Sequence, residues 1–586
     1  MKGNLNSFWA ELIVEELIRC GVDHFCITPG SRSTPLVVAA ARNAKAQCVI
    51  CFDERVAGFY ALGYAKAANK PAAVITTSGT AVANLLPAVT EAHIDKVPMF
   101  LMTADRPEEL ADTGANQTLR QTEIFSGFLR WRHSLPCPTE AFGPEAVLTT
   151  IDQAVFRTHS LGGGPVHLNC RYREPLEPCE PYIDEKQTAK INRWTDSGDP
   201  FTSYQETRLC LNEKTLDDIL GAIKGEERGL LVIGGLKTSV EREKILTLAK
   251  KLRWPVYADI TSGLRLSAPA ASGIRYFDQQ RLSSEFNQAA RPSVVLHLGG
   301  RTTSKRLDQF LDECRPDPYI VVHSSPDRYD RVHAVTMRIQ ADPAQAAAVI
   351  SGKIDTGAET PYFGFMQKIS TRTNAVVEQM IEDDTRLSEP FVARSLSRIA
   401  PEGSCVFLSN SMPVRDMDLY GANNRKTVFS AANRGVSGID GVLSTAIGLT
   451  TARKTLTTLV IGDVAFMYDL NALTLLSRQA LPIIVVVINN QGGGIFDFLP
   501  ISQSPDVLEK FFVARHDFQF AGVCETFKID YYKACEKDDF ISVYAEAVKK
   551  QTPAVIEVAT DRKTNLELRR CIKNKIIETL EQSIKR

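Results

Sequence analysis

Hydrophobic and polar positions along this chain follow two rhythms that take turns from end to end. Short β-branched runs at 23–28 (DHFCIT), 47–52 (QCVICF) and 72–77 (AAVITT) predict buried strands, and 98–103 (PMFLMT) and 166–169 predict two more. Between them apolar residues recur every three or four positions, the helical period. Residues 1–21 show it: Phe8, Trp9, Leu12, Ile13, Leu17 and Ile18 form one face, and Glu11, Glu15 and Glu16 break up any continuous apolar core. Alternation of this kind predicts parallel sheets with helices on both faces.

A polar stretch at 174–206 has no sustained period and reads as a linker. The strand–helix rhythm resumes with runs at 229–233, 255–259, 294–298 and 319–323, fades at 355–362, and returns at 404–408, 427–430, 457–461, 482–489 and 554–558. The first and last blocks share the same general alternation. The expected fold class is therefore α/β, with three doubly wound parallel-sheet domains at 1–180, 200–355 and 365–586. A length of 586 residues agrees, since a domain takes roughly 150 residues.

Composition removes several classes of function. Lys and Arg number 68 against 69 Asp and Glu, a formal charge of -1, without the basic excess a general nucleic-acid binder needs. The run of large apolar residues at 483–488 is far short of the roughly 20 that span a bilayer. No secretion signal opens the chain, so membrane insertion and export are not expected. The 13 cysteines are scattered. Cys48 and Cys51 lie in a strand-like run that points them to opposite faces, and reduced, mostly buried cysteines in a cytoplasmic protein are expected. His93, His167, His297 and His323 lie in or beside apolar runs and read as core or boundary residues. No Cys/His spacing suggests a transition metal, and no glycine-rich loop suggests a dinucleotide in the central block.

Ligands of open parallel sheets bind beyond the carboxyl ends of the strands. Two polar, glycine-bearing clusters sit there in the last block. The strand at 457–461 runs into Gly462-Asp463, and the strand at 482–489 into Asn490, Gly492, Gly493 and Gly494. Asp463 and Asn490 offer hard oxygen ligands suited to Mg²⁺, Gly492 can bring a backbone carbonyl close, and N–H groups opening the next helix suit a diphosphate. The plain alternative is a helix cap and a tight turn. Their pairing, one strand–helix unit apart, resembles the metal and diphosphate motif of thiamine diphosphate enzymes.

The first block supplies a complement. Glu54 follows one strand and opens a helical run, where a carboxylate can simply answer the helix dipole. In thiamine diphosphate chemistry a glutamate bonded to the aminopyrimidine promotes the tautomer that removes the thiazolium proton, assistance worth about 10²–10⁴ in rate. Thr77-Ser78-Gly79 forms a polar turn that supports this reading without carrying it.

Across essentially the whole chain the residues resemble the 2-succinyl-5-enolpyruvyl-6-hydroxy-3-cyclohexene-1-carboxylate synthase (MenD) family of menaquinone biosynthesis. The segments that carry the resemblance are Pro29-Gly30-Ser31-Arg32-Ser33-Thr34-Pro35-Leu36, Thr103-Ala104-Asp105-Arg106-Pro107, Gly114-Ala115-Asn116-Gln117 and Thr303-Ser304-Lys305-Arg306-Leu307. Asn433-Arg434-Gly435, leading into Ser437-Gly438-Ile439-Asp440-Gly441, and Asn490-Gln491-Gly492-Gly493-Gly494-Ile495-Phe496 complete them. Val464 departs from the wider pattern, where a third glycine often follows Gly-Asp.

The resemblance implies decarboxylation of 2-oxoglutarate on thiamine diphosphate and Stetter-like 1,4-addition of the resulting carbanion to isochorismate. Mg²⁺ or Mn²⁺ would be held by Asp463, Asn490 and Gly492, and the cofactor by these with Glu54, Thr77, Ser78, Gly79, Ile439, Gly493 and Ile495. Both substrates are dianions. Arg32, Arg106, Lys305, Arg306, Arg415 and Arg434 would meet their carboxylates, which an arginine grips through two parallel bonds. Arg415 would face the 2-oxoglutarate-derived carboxylate. Ser31, Asn116, Gln117 and Ser411 would add neutral bonds, and Ile495, Phe496 and Leu499 an apolar wall, although ordinary core packing is an open reading for Leu499. Any one arginine, taken singly, reads equally well as a solvated surface residue. The resemblance also implies a homo-oligomer, at least a dimer and commonly a tetramer, in which Glu54 and Asp463 of each site come from different subunits. Another thiamine diphosphate carboligase or decarboxylase, active on pyruvate without isochorismate, and a non-catalytic relative are the alternatives.

Overall fold

The computed structural model describes residues 4–178, 188–205, 207–267, 273–422 and 426–585. Within them the apolar runs form three sheets whose strand pairs are all parallel. The first contains β1 (His24–Ile27), β2 (Gln47–Ile50), β3 (Ala73–Thr76), β4 (Met99–Asp105), β5 (Trp131–Leu135) and β6 (Pro165–Arg171), in the order β2-β1-β3-β4-β6-β5. The central sheet has β7 (Gly229–Ile233), β8 (Val256–Ala258), β9 (Val294–Leu298), β10 (Tyr319–His323) and β11 (Met337–Gln340), ordered β11-β10-β9-β7-β8. The third has β12 (Cys405–Leu408), β13 (Phe429–Ala432), β14 (Thr457–Gly462), β15 (Ile483–Asn489), β16 (Asp530–Ala534) and β17 (Ala554–Ala559), ordered β13-β12-β14-β15-β17-β16. Counted from its own first strand, the third sheet repeats the order of the first. This is the expected doubly wound α/β architecture.

Three strands escaped the sequence pattern: β5, β11 and β16. Each lies at the end of its sheet, where one side faces water and polar residues are tolerated, so no continuous apolar run marks it. For the same reason the buried strand expected at 47–52 is corrected. β2 is an edge strand, and Ile50 and Phe52 are 56% and 51% exposed. The strand expected at 427–430 runs instead over Phe429–Ala432. The expected linker is also partly ordered. A short helix, Asn192–Thr195, buries Trp194, while 179–187 and 206 lie outside the described residues.

The chain divides into two compact units. One comprises Met1–Thr207 with Asn433–Lys454 and Tyr468–Gln479; the other comprises Arg208–Ala432, Thr455–Met467 and Ala480–Arg586. In the first, helices Glu54–Ala68 and Val442–Arg453 touch backbone to backbone. A Cβ on Gly63 would lie 1.9 Å from the Thr445 carbonyl oxygen, and one on Gly448 2.0 Å from that of Tyr60, so only glycine permits the approach. In the second, one apolar cluster runs from Val295 and Phe310 to Val406 and Val486, and includes Leu568, Ile572, Ile576 and Leu580 of the terminal helix Arg562–Lys585.

A buried carboxylate pins the ordered part of the supposed linker. Glu16 accepts hydrogen bonds from the Trp194 indole and the Phe201 N–H, while Asp152 beside it accepts from the Thr202 N–H at 2.8 Å. Burial, then the neighbouring Asp152, pushes the Glu16 carboxyl up from 4.5 to about 8. Its folded-state pKa lies above the unfolded value. The protonated group therefore contributes stability that is present below about 4.5 and lost as pH rises through about 8. Urea denaturation between pH 5 and 8 should show stability falling with pH, and Glu16→Gln should flatten that slope. An unchanged slope in the variant would assign the effect elsewhere.

Of the 12 cysteines described, six are buried and none is disulfide-bonded, so burial is less general than expected. Cys48 is exposed and Cys51 buried, as opposite faces require. His167, His297 and His323 are buried and His93 is half-buried. Among the described residues no helix is long and apolar enough to cross a membrane.

Candidate active site

In the first unit the expected residues gather beyond the carboxyl ends of β1 to β4. Gly30 packs so tightly on Thr77 that a Cβ there would lie 2.2 Å from the Thr77 Cβ. The loop bearing Ser31 and Arg32 is thereby laid along the Thr77-Ser78-Gly79 turn. Gln117 closes over the same turn. Its amide donates to the Ser78 carbonyl at 2.8 Å, and its Cγ lies 2.7 Å from where a Cβ on Gly79 would stand. Gly79 has φ +88°, which glycine alone adopts freely. Asn116, next to Gln117, is exposed.

Arg32 is buried, donating to the Tyr172 carbonyl at 2.9 Å and to Glu174 at 3.2 Å. Burial, then the guanidinium of Arg106, lowers its pKa. Glu174 offsets part of that like charge, and such a pair can receive a further carboxylate. The Nε atoms of both Arg32 and Arg106 are buried without a hydrogen-bond partner.

Glu54 is the first residue of its helix, and capping falls to its neighbour. Asp53 accepts from the N–H groups of Arg55 and Val56, at 2.9 and 3.2 Å. Glu54 stays half-buried and receives only a long bond from the Asn84 amide, 3.4 Å. Asp53 rather than Glu54 thus caps the helix, while Glu54, in its first turn, can still answer the dipole. Asp53 and Arg55 are themselves fixed by 468–471: Asn471 donates to Asp53 at 2.7 Å, and Arg55 donates to the Tyr468 carbonyl at 2.7 Å. Arg434 and Ile439, both half-buried, sit on a turn that buried Glu91 holds by accepting from the Gly435 and Val436 N–H groups, each at 2.7 Å.

In the second unit, β14 and β15 pair side by side and put Asp463 and Asn490 beyond the same edge. Asp463 is buried. One carboxylate oxygen accepts from the Val464 N–H at 2.6 Å, and the other accepts from the Gly492 N–H at 3.0 Å, so the two motif halves are joined directly. Gly492, at φ +143°, is packed where a Cβ would stand 2.3 Å from the Val513 carbonyl oxygen. The Asn490 amide donates to Glu389 at 2.7 Å, and its oxygen is buried without a partner. A buried carboxylate and a free amide oxygen beside a glycine backbone fit a divalent cation. His516, which sequence reasoning missed, stands 3.2 Å from the Asp463 carboxylate. No spacing or period marks it.

Ser411 opens helix Met412–Tyr420 at φ +67°, rare for a residue with a side chain. The exposed Arg415, four residues on, donates back to its carbonyl. Lys305 and Arg306 occupy the first turn of helix Lys305–Cys314, where the dipole disfavours cations and favours an anionic ligand. Lys305 is exposed, while Arg306 donates to the Asp278 carbonyl at 2.6 Å. Gly493 donates to the Val513 carbonyl at 2.6 Å. Ile495 and Phe496 are half-buried, with the Phe496 ring 5.3 Å from that of Phe512. Leu499 is 42% exposed, which corrects the core-packing alternative.

Comparison with known proteins places the chain in a family. Residues 9–124 match the model of the "Thiamine pyrophosphate enzyme, N-terminal TPP binding domain", 185–408 the "Middle domain of thiamine pyrophosphate", and 415–558 the "Thiamine pyrophosphate enzyme, C-terminal TPP binding domain". A 2-succinyl-5-enolpyruvyl-6-hydroxy-3-cyclohexene-1-carboxylate synthase of Rubrobacter xylanophilus is 41% identical over 565 residues, 96% of this chain and 97% of the relative. Proteins of the same name from Chlorobaculum tepidum and Salinibacter ruber are each 40% identical, over 99% and 96% of this chain and 98% and 95% of theirs. With such identity sustained over nearly its whole length, the chain belongs to the 2-succinyl-5-enolpyruvyl-6-hydroxy-3-cyclohexene-1-carboxylate synthase family of thiamine pyrophosphate enzymes.

Proposed function

We propose that the protein is a thiamine diphosphate-dependent transferase of menaquinone biosynthesis that joins 2-oxoglutarate, with loss of CO₂, to isochorismate. The product would be 2-succinyl-5-enolpyruvyl-6-hydroxy-3-cyclohexene-1-carboxylate. The observation that carries this reading is the partnerless, buried Asn490 oxygen beside the Asp463 carboxylate and Gly492, a donor set that a diphosphate-bound Mg²⁺ or Mn²⁺ completes. When bound, the cofactor would supply a carbon nucleophile for the keto group of 2-oxoglutarate and an electron sink for the charge left by CO₂.

The chain's own residues do the rest. Glu54 would hold and move a proton at the cofactor's aminopyrimidine, and Thr77, Ser78 and Gly79, with Ile439 as an apolar support, would help to hold the cofactor. Arg415 and Ser411 hold the carboxylate derived from 2-oxoglutarate. Arg32, Arg106, Lys305, Arg306 and Arg434, with Ser31, Asn116 and Gln117, hold the carboxylates and hydroxyl of isochorismate. Ile495, Phe496 and Leu499 exclude water that would quench the reactive carbon.

We infer a cytoplasmic homo-oligomer, at least a dimer and, in the family manner, a tetramer. The exposed Ile50, which ends the strand before Glu54, and Phe52 just beyond it favour a covered edge. The three sheets favour a division of each chain into an aminopyrimidine domain (1–180), a central domain (200–355) and a diphosphate domain (365–586). A spectroscopic assay with thiamine diphosphate, Mg²⁺ and both substrates tests the activity. Isochorismate should be consumed only when 2-oxoglutarate is present; turnover of pyruvate without isochorismate would overturn the assignment.

A further inference from the structure

An asparagine side chain is ambiguous as a cation ligand. Its oxygen can bind a metal and its NH₂ cannot, yet the two ends have nearly the same shape. Something outside Asn490 must decide which end faces the cation. Glu389, the first residue of helix Glu389–Ile399, does so by accepting from the Asn490 amide at 2.7 Å. An ionised carboxylate only accepts, so it takes the NH₂ end and leaves the oxygen turned away from it. The other oxygen of Glu389 accepts from the Arg569 guanidinium, which also grips Asp416, next to Arg415 in its helix. Glu389, Asp416 and Arg569 are all buried, between 4% and 6% exposed. Burying three charges is expensive, and apolar residues of similar volume often serve stability as well. Such a cluster is better explained by what it orients.

We propose that Glu389 is a positioning residue that sets the amide orientation of the metal ligand Asn490. Arg569, on the terminal helix, ties that orientation to the helix carrying Arg415. The terminal helix lies beyond the matched C-terminal domain, which ends at residue 558, so this clamp extends the site to a segment outside that match. The inference rests on the reading of Asp463 and Asn490 as metal ligands.

The test is Mn²⁺ binding to the full-length protein with thiamine diphosphate present, followed by the electron paramagnetic resonance signal of free Mn²⁺. In Glu389→Gln, Arg569 claims the amide oxygen of the new side chain and leaves its NH₂ facing Asn490. Asn490 must then turn its oxygen inward and its NH₂ toward the cation. Affinity should fall about 10–100-fold, the usual effect of losing a partner that orients a ligand.

Asn490→Asp has an oxygen at both ends, so in that background the same Glu389→Gln change removes a like-charge clash and should strengthen binding. The sign of the Glu389→Gln effect therefore inverts between the two backgrounds. Weakening in both, or no change in both, would overturn the proposal, because lost packing cannot reverse sign. If Glu389→Gln alone is too unstable to measure, the Asn490→Asp protein with and without it is the remaining arm: tighter Mn²⁺ binding supports the proposal, and weaker or unchanged binding overturns it. Asp463→Asn is the control on the underlying reading. If it binds Mn²⁺ like the wild type, the metal site is misplaced and the proposal falls with it; if it loses binding while Glu389→Gln is silent, only the proposal falls.

Discussion

Glu54→Gln should lower turnover by about two orders of magnitude or more while the protein still folds and binds Mn²⁺ and thiamine diphosphate. The substitution preserves size and keeps an oxygen for the bond from Asn84. Helix capping is untouched, because Asp53 performs it. The metal ligands proposed here, Asp463 and Asn490, belong to the other compact unit. What disappears is a group able to exchange a proton with the cofactor's aminopyrimidine. The measurement is kcat at saturating substrates and cofactor, beside Mn²⁺ affinity. A near-normal rate would mean that the proton is handled by another residue.

Asp463→Asn should separate stability from function in opposite directions. The carboxylate is buried, and that burial pushes its pKa up, while the Val464 N–H and other partners pull it down. Without a cation the wild-type protein bears an incompletely neutralised charge, and the amide relieves it, a gain set against the NH₂ end that must face one of the two N–H donors. The metal-free variant should therefore melt at or above the wild-type temperature at neutral pH. With Mg²⁺ and cofactor the order should reverse. Losing one partner of a buried charge contact costs about 3 kcal/mol or more, about 10²-fold in metal affinity. Melting curves with and without Mg²⁺ check both halves. If the variant is the less stable protein in the absence of metal, Asp463 has a structural duty that outweighs its burial.

The sequence pattern revealed what depends on continuous burial or on short chemical words. Central strands such as β9 and β15 are largely apolar and buried and were legible as such. β5, β11 and β16 were not, because an edge strand needs to satisfy only one neighbour, and residues such as Arg132, His133 and Lys533 do so without an apolar run. β2 misled in the other direction: its apolar residues looked destined for a core and instead face out. Within the site, Asp463 and Asn490 were legible because each ends an apolar strand. Glu389, Asp416 and Arg569 were not, since they lie far apart in the chain and meet only through helix packing. Local spacing finds residues that touch a ligand; it is blind to those that aim them.

The matching strand orders of the first and third sheets carry a historical consequence. β1 and β12 lead to Arg32 and Arg415, β2 and β13 to Glu54 and Arg434, β3 and β14 to Ser78 and Asp463, β4 and β15 to Arg106 and Asn490. Equivalent loops of both sheets thus supply the proposed machinery, the pattern left when one ancestral domain is duplicated and its copies diverge. On the proposed assignments the first copy would carry the proton-transfer residue and the other the metal ligands, with anion-binding arginines on both. New substrate preferences among descendants should then arise at these paired loops, leaving the strands beneath them as the inherited frame.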